Sequence, residues 1–337
     1  MPSVVARGVS WARRALAYAS RRRHEAGPLL RGKLILRRYT AHYRRAQRQY
    51  PPSASDHSPR SVYDVEVMAI RPGDGAFALP PDFKARVATV AQGAAAALDR
   101  SANCDFFPAV PADTMRERTS DIPAVANGEV ISIKLRDPFA IAGLHELCEP
   151  LLAELERTIY RSYLIVDKVY VYRSPVSRQA PKASWLWHFD NHPREVLKVM
   201  VYLTDVGEET APFEYLRDDG WRAKLGTPLA PLHGDSRVPA AQIERHLAAG
   251  WHREVVTGPS GTVLVFDDNV VHRGTLARSG HRDVVVFQVR PADFKASPYI
   301  DPRWTGSFGH LDFNRDPRQM APTPRKPKAA KPASAAV

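Results

Sequence analysis

Four His-x-Asp triplets occur in this chain: His188/Asp190, His233/Asp235, His281/Asp283 and His310/Asp312. On a β-strand, residues i and i+2 point to the same face, so each pair could offer an imidazole nitrogen and a carboxylate oxygen to one metal ion. A lone match says little, because chance supplies about one such triplet in a chain of ordinary composition. The residues around each pair separate them. His310/Asp312 has no later His to complete a ligand set, and His281/Asp283 is followed only by His310, in a Gly- and Pro-rich stretch. His233/Asp235 sits in "TPLAPLHGDSRVP", with no strand to fix its geometry. His188/Asp190 in "SWLWHFDNH" precedes a long apolar run, and His272 in "FDDNVVHRG" and Arg282 follow on later strand-like segments.

Two His and one carboxylate on one face of a metal leave three adjacent positions open, the arrangement of non-haem iron(II) oxygenases. Those openings suit a chelating 2-oxo acid and then dioxygen. The far carboxylate of such an acid is held best by a planar guanidinium, which bonds it bidentately. Arg282 is the residue expected to do so, with Val284, Val286 and Gln288 sharing its inward face. Lys198, eight residues after Asp190 on an otherwise apolar strand, needs an anionic partner if buried. A cosubstrate carboxylate, a substrate acid and a structural Asp are all open to it. Trp185 and Trp187 flank the metal pair as expected core or pocket-wall residues. His192, in a turn before Pro193, is expected at the surface.

These side chains need strands to place them. From residue 61 the texture becomes that of a folded domain, with "SVYDVEVMAI" read as a strand and "PDFKARVATVAQGAAAALDR" as a helix. "GEVISIKL" is a strand, and "AIAGLHELCEPLLAELERTIYRS" is helical, with Pro150 expected to bend or divide it. The β-rich runs "YLIVDKVYVY", "EVLKVMVYLTDV", "FEYLR", "REVVTG", "GTVLVF" and "RDVVVFQVRP" follow, separated by turn clusters. Helices first and strands afterwards, without alternation, predict a mainly β sandwich or barrel with flanking N-terminal helices. The segment 216–256, including "PAAQIERHLAAG", is expected to cap the pocket.

The net charge of +12 is unevenly placed. The first 50 residues hold thirteen Lys/Arg against Glu25 alone, and residues 315–337 hold six against Asp316, so the body between them is mildly acidic. Residues 1–60 read as a basic, partly helical extension ending in the linker "YPPSASDHSP", 61–312 as one domain, and 313–337 as a disordered Pro/Ala/Lys-rich tail. Val5, Val9, Ala12, Leu16 and Ala19 lie at helical spacing opposite arginines, compatible with a membrane-surface or other anionic partner. The same stretch is acid-poor and Arg-rich like a mitochondrial transit peptide, although it holds few Ser. Two distant cysteines, Cys104 and Cys148, give no disulfide framework and point to a reducing, cytoplasmic setting.

With "WHFDNHP", "VYLTDVGEETAPFEYLR" and "GTVLVFDDNVVHRG" in place, residues 125–295 resemble the phytanoyl-CoA dioxygenase family of Fe(II)/2-oxoglutarate-dependent dioxygenases. The resemblance implies a double-stranded β-helix, a cupin-like jelly roll with the metal at its mouth. It implies Fe(II) held by His188, Asp190 and His272, with 2-oxoglutarate anchored by Arg282. The implied reaction uses dioxygen to hydroxylate an unactivated C–H bond of a small or carrier-bound substrate, releasing succinate and CO2. Related halogenases carry Gly or Ala where this chain has Asp190, so the resemblance implies hydroxylation. It departs from relatives at "LRDDGW", where Pro-Gly-Ser-His is frequent. Two other readings stay open: a non-catalytic cupin-like metal-binding protein, and an oxygenase acting on nucleic acid or protein. Nucleic-acid dealkylating relatives carry a second Arg six residues after the first; here that position is Gln288, which argues against a nucleic-acid substrate.

Overall fold

A computed structural model describes residues 36–51, 61–71, 73, 77–190, 192–217 and 236–301. The expected basic helix over residues 5–21, the His233/Asp235 and His310/Asp312 pairs, the tail and residues 218–235 of the proposed cap lie outside the described residues. Among the described residues no helix is long and apolar enough to cross a membrane.

Among the described residues, ten strands form two antiparallel sheets. They are β1 (Val67–Ile70), β2 (Cys104–Phe107), β3 (Ser132–Leu135), β4 (Tyr163–Pro175) and β5 (Leu197–Tyr202), then β6 (Phe213–Arg217), β7 (His252–Val256), β8 (Val263–Asp267), β9 (His272–Gly274) and β10 (His281–Ala292). The large sheet runs β1-β8-β5-β10-β4-β3-β2 and the small one β7-β6-β9. The segment through His188 adds a further row to the small sheet by a single antiparallel bridge to His272. Neighbouring strands are thus distant in sequence, as in a jelly roll, and the chain has the double-stranded β-helix architecture.

The β10 sequence shows why the large sheet is covered on both sides. Val285, Phe287 and Val289 point one way, into a core shared with Leu144, Leu147 and Leu151. Val284 and Val286 point the other way, among Met200, Phe213 and Phe266 between the two sheets. Alternation therefore makes two apolar faces from one Val-rich run, which only a fully enclosed strand requires. The outer layer is supplied by α1 (36–49), α2 (Phe83–Leu98) and α4 (Leu144–Leu155); α3 (Pro123–Ala126) is a single turn and α5 (Ala240–Ala248) lies beyond β6.

Two expectations are corrected here. The strand expected over 61–70 is split: Ser61 caps a 3₁₀ turn at Val62–Asp64, and β1 begins only at Val67. Pro150 lies inside α4 without dividing it. The carbonyl that its missing N–H would have bonded, that of Glu146, accepts from Arg86 Nη1 at 2.6 Å, so the broken rung is repaired from outside the helix. A π-helical turn, Glu156–Tyr160, then leads into β4. Helix α1, within the stretch read as a partly helical extension, packs on the body. Tyr43 is buried in the main core and donates from its hydroxyl to the Tyr160 carbonyl at 2.7 Å.

Phe287 is fully buried on the helix-facing side of β10. Phe287→Ala is expected to cost about 3–5 kcal/mol of unfolding free energy in urea titration. A loss below ~1 kcal/mol would contradict this packing.

Candidate metal centre

His188 and His272 face each other across an antiparallel bridge. The amide of each donates to the carbonyl of the other, at 3.0 Å and 2.8 Å. Directly opposed residues of such a pair project from the same face, and the two rings lie with centroids 4.3 Å apart. Asp190, two residues along from His188, returns to that face by alternation. Its amide donates to the Asp268 carbonyl at 2.8 Å, extending the contact beyond the bridge. Asp190 Oδ1 is 3.9 Å from His188 Nε2, and Asp190 Oδ2 is 3.6 Å from His272 Nε2. One donor atom from each of the three residues falls within 4.8 Å of the others, a separation that one ion can bridge.

The donor set fits a divalent metal in detail. His188 Nδ1 lies 2.8 Å from the Leu186 carbonyl and His272 Nδ1 2.8 Å from the Val270 carbonyl. A carbonyl only accepts, so each Nδ1 carries the hydrogen and each Nε2 presents a lone pair toward the other two ligands. Burial pushes both imidazoles below their ordinary range, His272 to about 3 with His188 as the next cause. Both rings are therefore neutral, the state a metal binds. Asp190 is pulled well below the usual carboxylate range: burial opposes its charge, but the Lys198 ammonium beside it outweighs that.

Lys198 Nζ contacts Asp190 Oδ2. Of the three partners left open for this lysine, the one in place is an Asp, and that Asp belongs to the metal set. Burial opposes the ammonium's charge, yet Asp268 and Asp190 hold its pKa above the ordinary value.

Arg282 is 1% exposed and points between the sheets. Its Nη2 donates to the Tyr172 hydroxyl at 3.3 Å, while Nε and Nη1 have no hydrogen-bond partner among the described residues. It shares with His188 and His272 a cavity of about 230 Å³, walled by Tyr170, Tyr172, Met200, Phe266 and Val286. Trp185 also lines it, and its buried indole N–H has no hydrogen-bond partner among the described residues. A Cβ on Gly274 would lie 3.4 Å from that nitrogen and 3.7 Å from Arg282 Nη2, so the glycine keeps the space between them open.

His192 is not at the surface. Only 9% exposed, it places Nδ1 against Asp268 Oδ2, and Asn269 Nδ2 donates to its carbonyl at 2.9 Å. A turn before Pro normally reads as exposed; here it is folded under the large sheet, where Gln288 also reaches the ring at 3.4 Å. The competing His281/Asp283 pair is engaged elsewhere. Arg173 holds Asp283 bidentately at 2.8 Å and 2.7 Å on the opposite face of β10 from Arg282. Tyr172, Asp268 and Gly274 were absent from the sequence reading. The alternating aromatics of "VYVYRS" were the one available signal, for Tyr170 and Tyr172.

No protein-family model matches the chain, and no curated protein matches it. Among solved structures it is similar to EctD from S. alaskensis with bound 2-oxoglutarate and 5-hydroxyectoine. The identity is 18% and the TM-score 0.44, covering 72% of this chain and 80% of that one. SnoN, a non-heme alpha ketoglutarate dependent epimerase from nogalamycin biosynthesis, is 17% identical with a TM-score of 0.45 over 77% and 84% of the two chains. HygX from Streptomyces hygroscopicus, with nickel, 2-oxoglutarate and hygromycin B bound, is 14% identical with a TM-score of 0.40 over 68% and 85%.

His188→Ala and His272→Ala are each expected to abolish tight Co(II) binding in calorimetric titration while leaving the circular dichroism unchanged. His281→Ala should bind the ion as the parent does. Equal loss in all three variants would remove the assignment.

Proposed function

We propose that this chain is an Fe(II)- and 2-oxoglutarate-dependent dioxygenase of the phytanoyl-CoA dioxygenase-like type. It hydroxylates a C–H bond of a small or carrier-bound organic substrate and releases succinate and CO2. The observation that carries this reading is Arg282. A guanidinium taken out of water with two of its three nitrogens unpartnered costs several kcal/mol unless an anion answers it. It opens onto the same cavity as a two-His, one-carboxylate donor set. A dicarboxylate that reaches a metal with one end and Arg282 with the other satisfies both requirements at once.

In this reading His188, Asp190 and His272 hold Fe(II), whose chemistry when bound is to couple oxidative decarboxylation of 2-oxoglutarate by dioxygen to oxidation of the substrate. The chain's own residues do the rest. The Nδ1 hydrogen bonds keep both imidazoles aimed and neutral. Arg282 receives the distal carboxylate, Tyr172 braces the guanidinium, and the Trp185 N–H supplies another donor across the space left by Gly274. Met200, Phe266 and Val286 keep bulk water from the cavity floor. Gln288, where nucleic-acid-repairing relatives carry a second Arg, is buried against His192, which supports a small-molecule substrate.

The test is Fe(II)-dependent formation of succinate from 2-oxoglutarate, with a metabolite screen read by mass spectrometry for the gain of one oxygen. Absence of both turnover and iron binding would favour a non-catalytic cupin-like protein. Arg282→Ala should raise the 2-oxoglutarate KM at least tenfold, because a charge-assisted bidentate contact is lost. Gly274→Val, which fills the seat, should raise it as much without weakening the metal. An unchanged KM in Arg282→Ala would refute the cosubstrate assignment.

A further inference from the structure

Lys198 lies on the inward face of β5, paired across the sheet with Gln288 of β10 on one side and Phe266 of β8 on the other. Its ammonium touches Asp190, and Asp268 is the other carboxylate acting on it. Asp268 is completely enclosed. One of its oxygens accepts from His192, and the other, Oδ1, has no hydrogen-bond partner among the described residues. The Asp190 amide bonded to the Asp268 carbonyl ties the two acidic residues together. The ammonium therefore contacts one carboxylate, the metal-set Asp190, and lies in the field of a second, Asp268.

Holding a divalent ion does not require this cation, since the two imidazoles and Asp190 already complete the donor set. An ammonium at the same carboxylate acts against the ion in two ways. It takes part of the electron density that Asp190 would give the metal, and it repels a dication through an interior of low effective dielectric. We propose that Lys198 is a fixed counter-cation that shares Asp190 with the metal and lowers the affinity of the centre. Loading of the protein then responds to the concentration of free divalent metal. This rests on the metal-centre reading above.

The sign of one measurement separates this role from a structural one. If Lys198 only oriented Asp190, its removal would loosen the metal; as a competing cation, its removal tightens it. Mn(II) binding to the full chain can be followed by the electron paramagnetic resonance of the free ion. Lys198→Met should bind at least tenfold more tightly than the parent. Asp268→Asn, which leaves the lysine leaning on Asp190 alone, should bind severalfold more weakly. Should Met at 198 prevent folding, Lys198→Gln keeps a hydrogen bond to Asp190 without the charge and carries the same expectation. If the parent binds Mn(II), His188→Ala does not, and the Lys198 variant binds no more tightly, the counter-cation proposal fails and the metal centre stands. If both the Lys198 and Asp268 variants weaken binding, the lysine is structural and the proposal fails as well. If neither the parent nor the Lys198 variant binds, the metal reading falls and takes the proposal with it.

Discussion

Charge buried between two β-sheets is the constraint to which the rest of the molecule answers. Removing a carboxylate or a guanidinium from water costs several kcal/mol unless partners replace the lost hydration. Asp190 is answered by the Lys198 ammonium, within the protein. Arg282 meets the Tyr172 hydroxyl, and among the described residues its Nε and Nη1 have no hydrogen-bond partner. One end of the cavity is internally balanced and the other is not, and this asymmetry gives the cavity a direction: an anionic ligand has one place to put its charge.

The two sheets divide the work. The metal donors belong to the small sheet and the row that His188 adds to it. The cations and the aromatic wall come from the large one, through Lys198, Arg282, Tyr170 and Tyr172. Neither sheet contains a site alone. The site exists because the inward faces meet, and each face is stiff because it is backed. Behind the large sheet lie the helices, with Phe287 and Val285 in the shared core; behind His188 and His272 lie carbonyls that fix each ring. Side chains held on rigid strands retain the geometry that a metal and a chelating acid need.

The segment His281-Arg282-Asp283 illustrates how strictly a strand assigns roles. Its outer members read as a metal pair, yet alternation turns them to the face where Arg173 neutralises Asp283. The middle residue points inward and meets the cavity. A shift of one residue would exchange the two outcomes, since the side-chain period of a strand is two. His188/Asp190 differs from this decoy in what lies across the sheet from it, another histidine in a hydrogen-bonded register.

The sequence by itself determined the properties that depend on near neighbours. Runs of β-branched residues marked the long strands, two-residue spacing joined His188 to Asp190, and a position just past a turn placed Arg282 at the head of β10. The short strands β2 and β9 carry too few residues for a pattern and were not legible. Only the tertiary structure decided what met across the chain: Lys198 against Asp190, His192 beneath Asp268, Arg86 on the carbonyl that Pro150 left free, and Tyr172 on Arg282. Those meetings depend on the register of strands and helices far apart in sequence. Periodicity says which face a side chain takes, and packing alone says what it finds there.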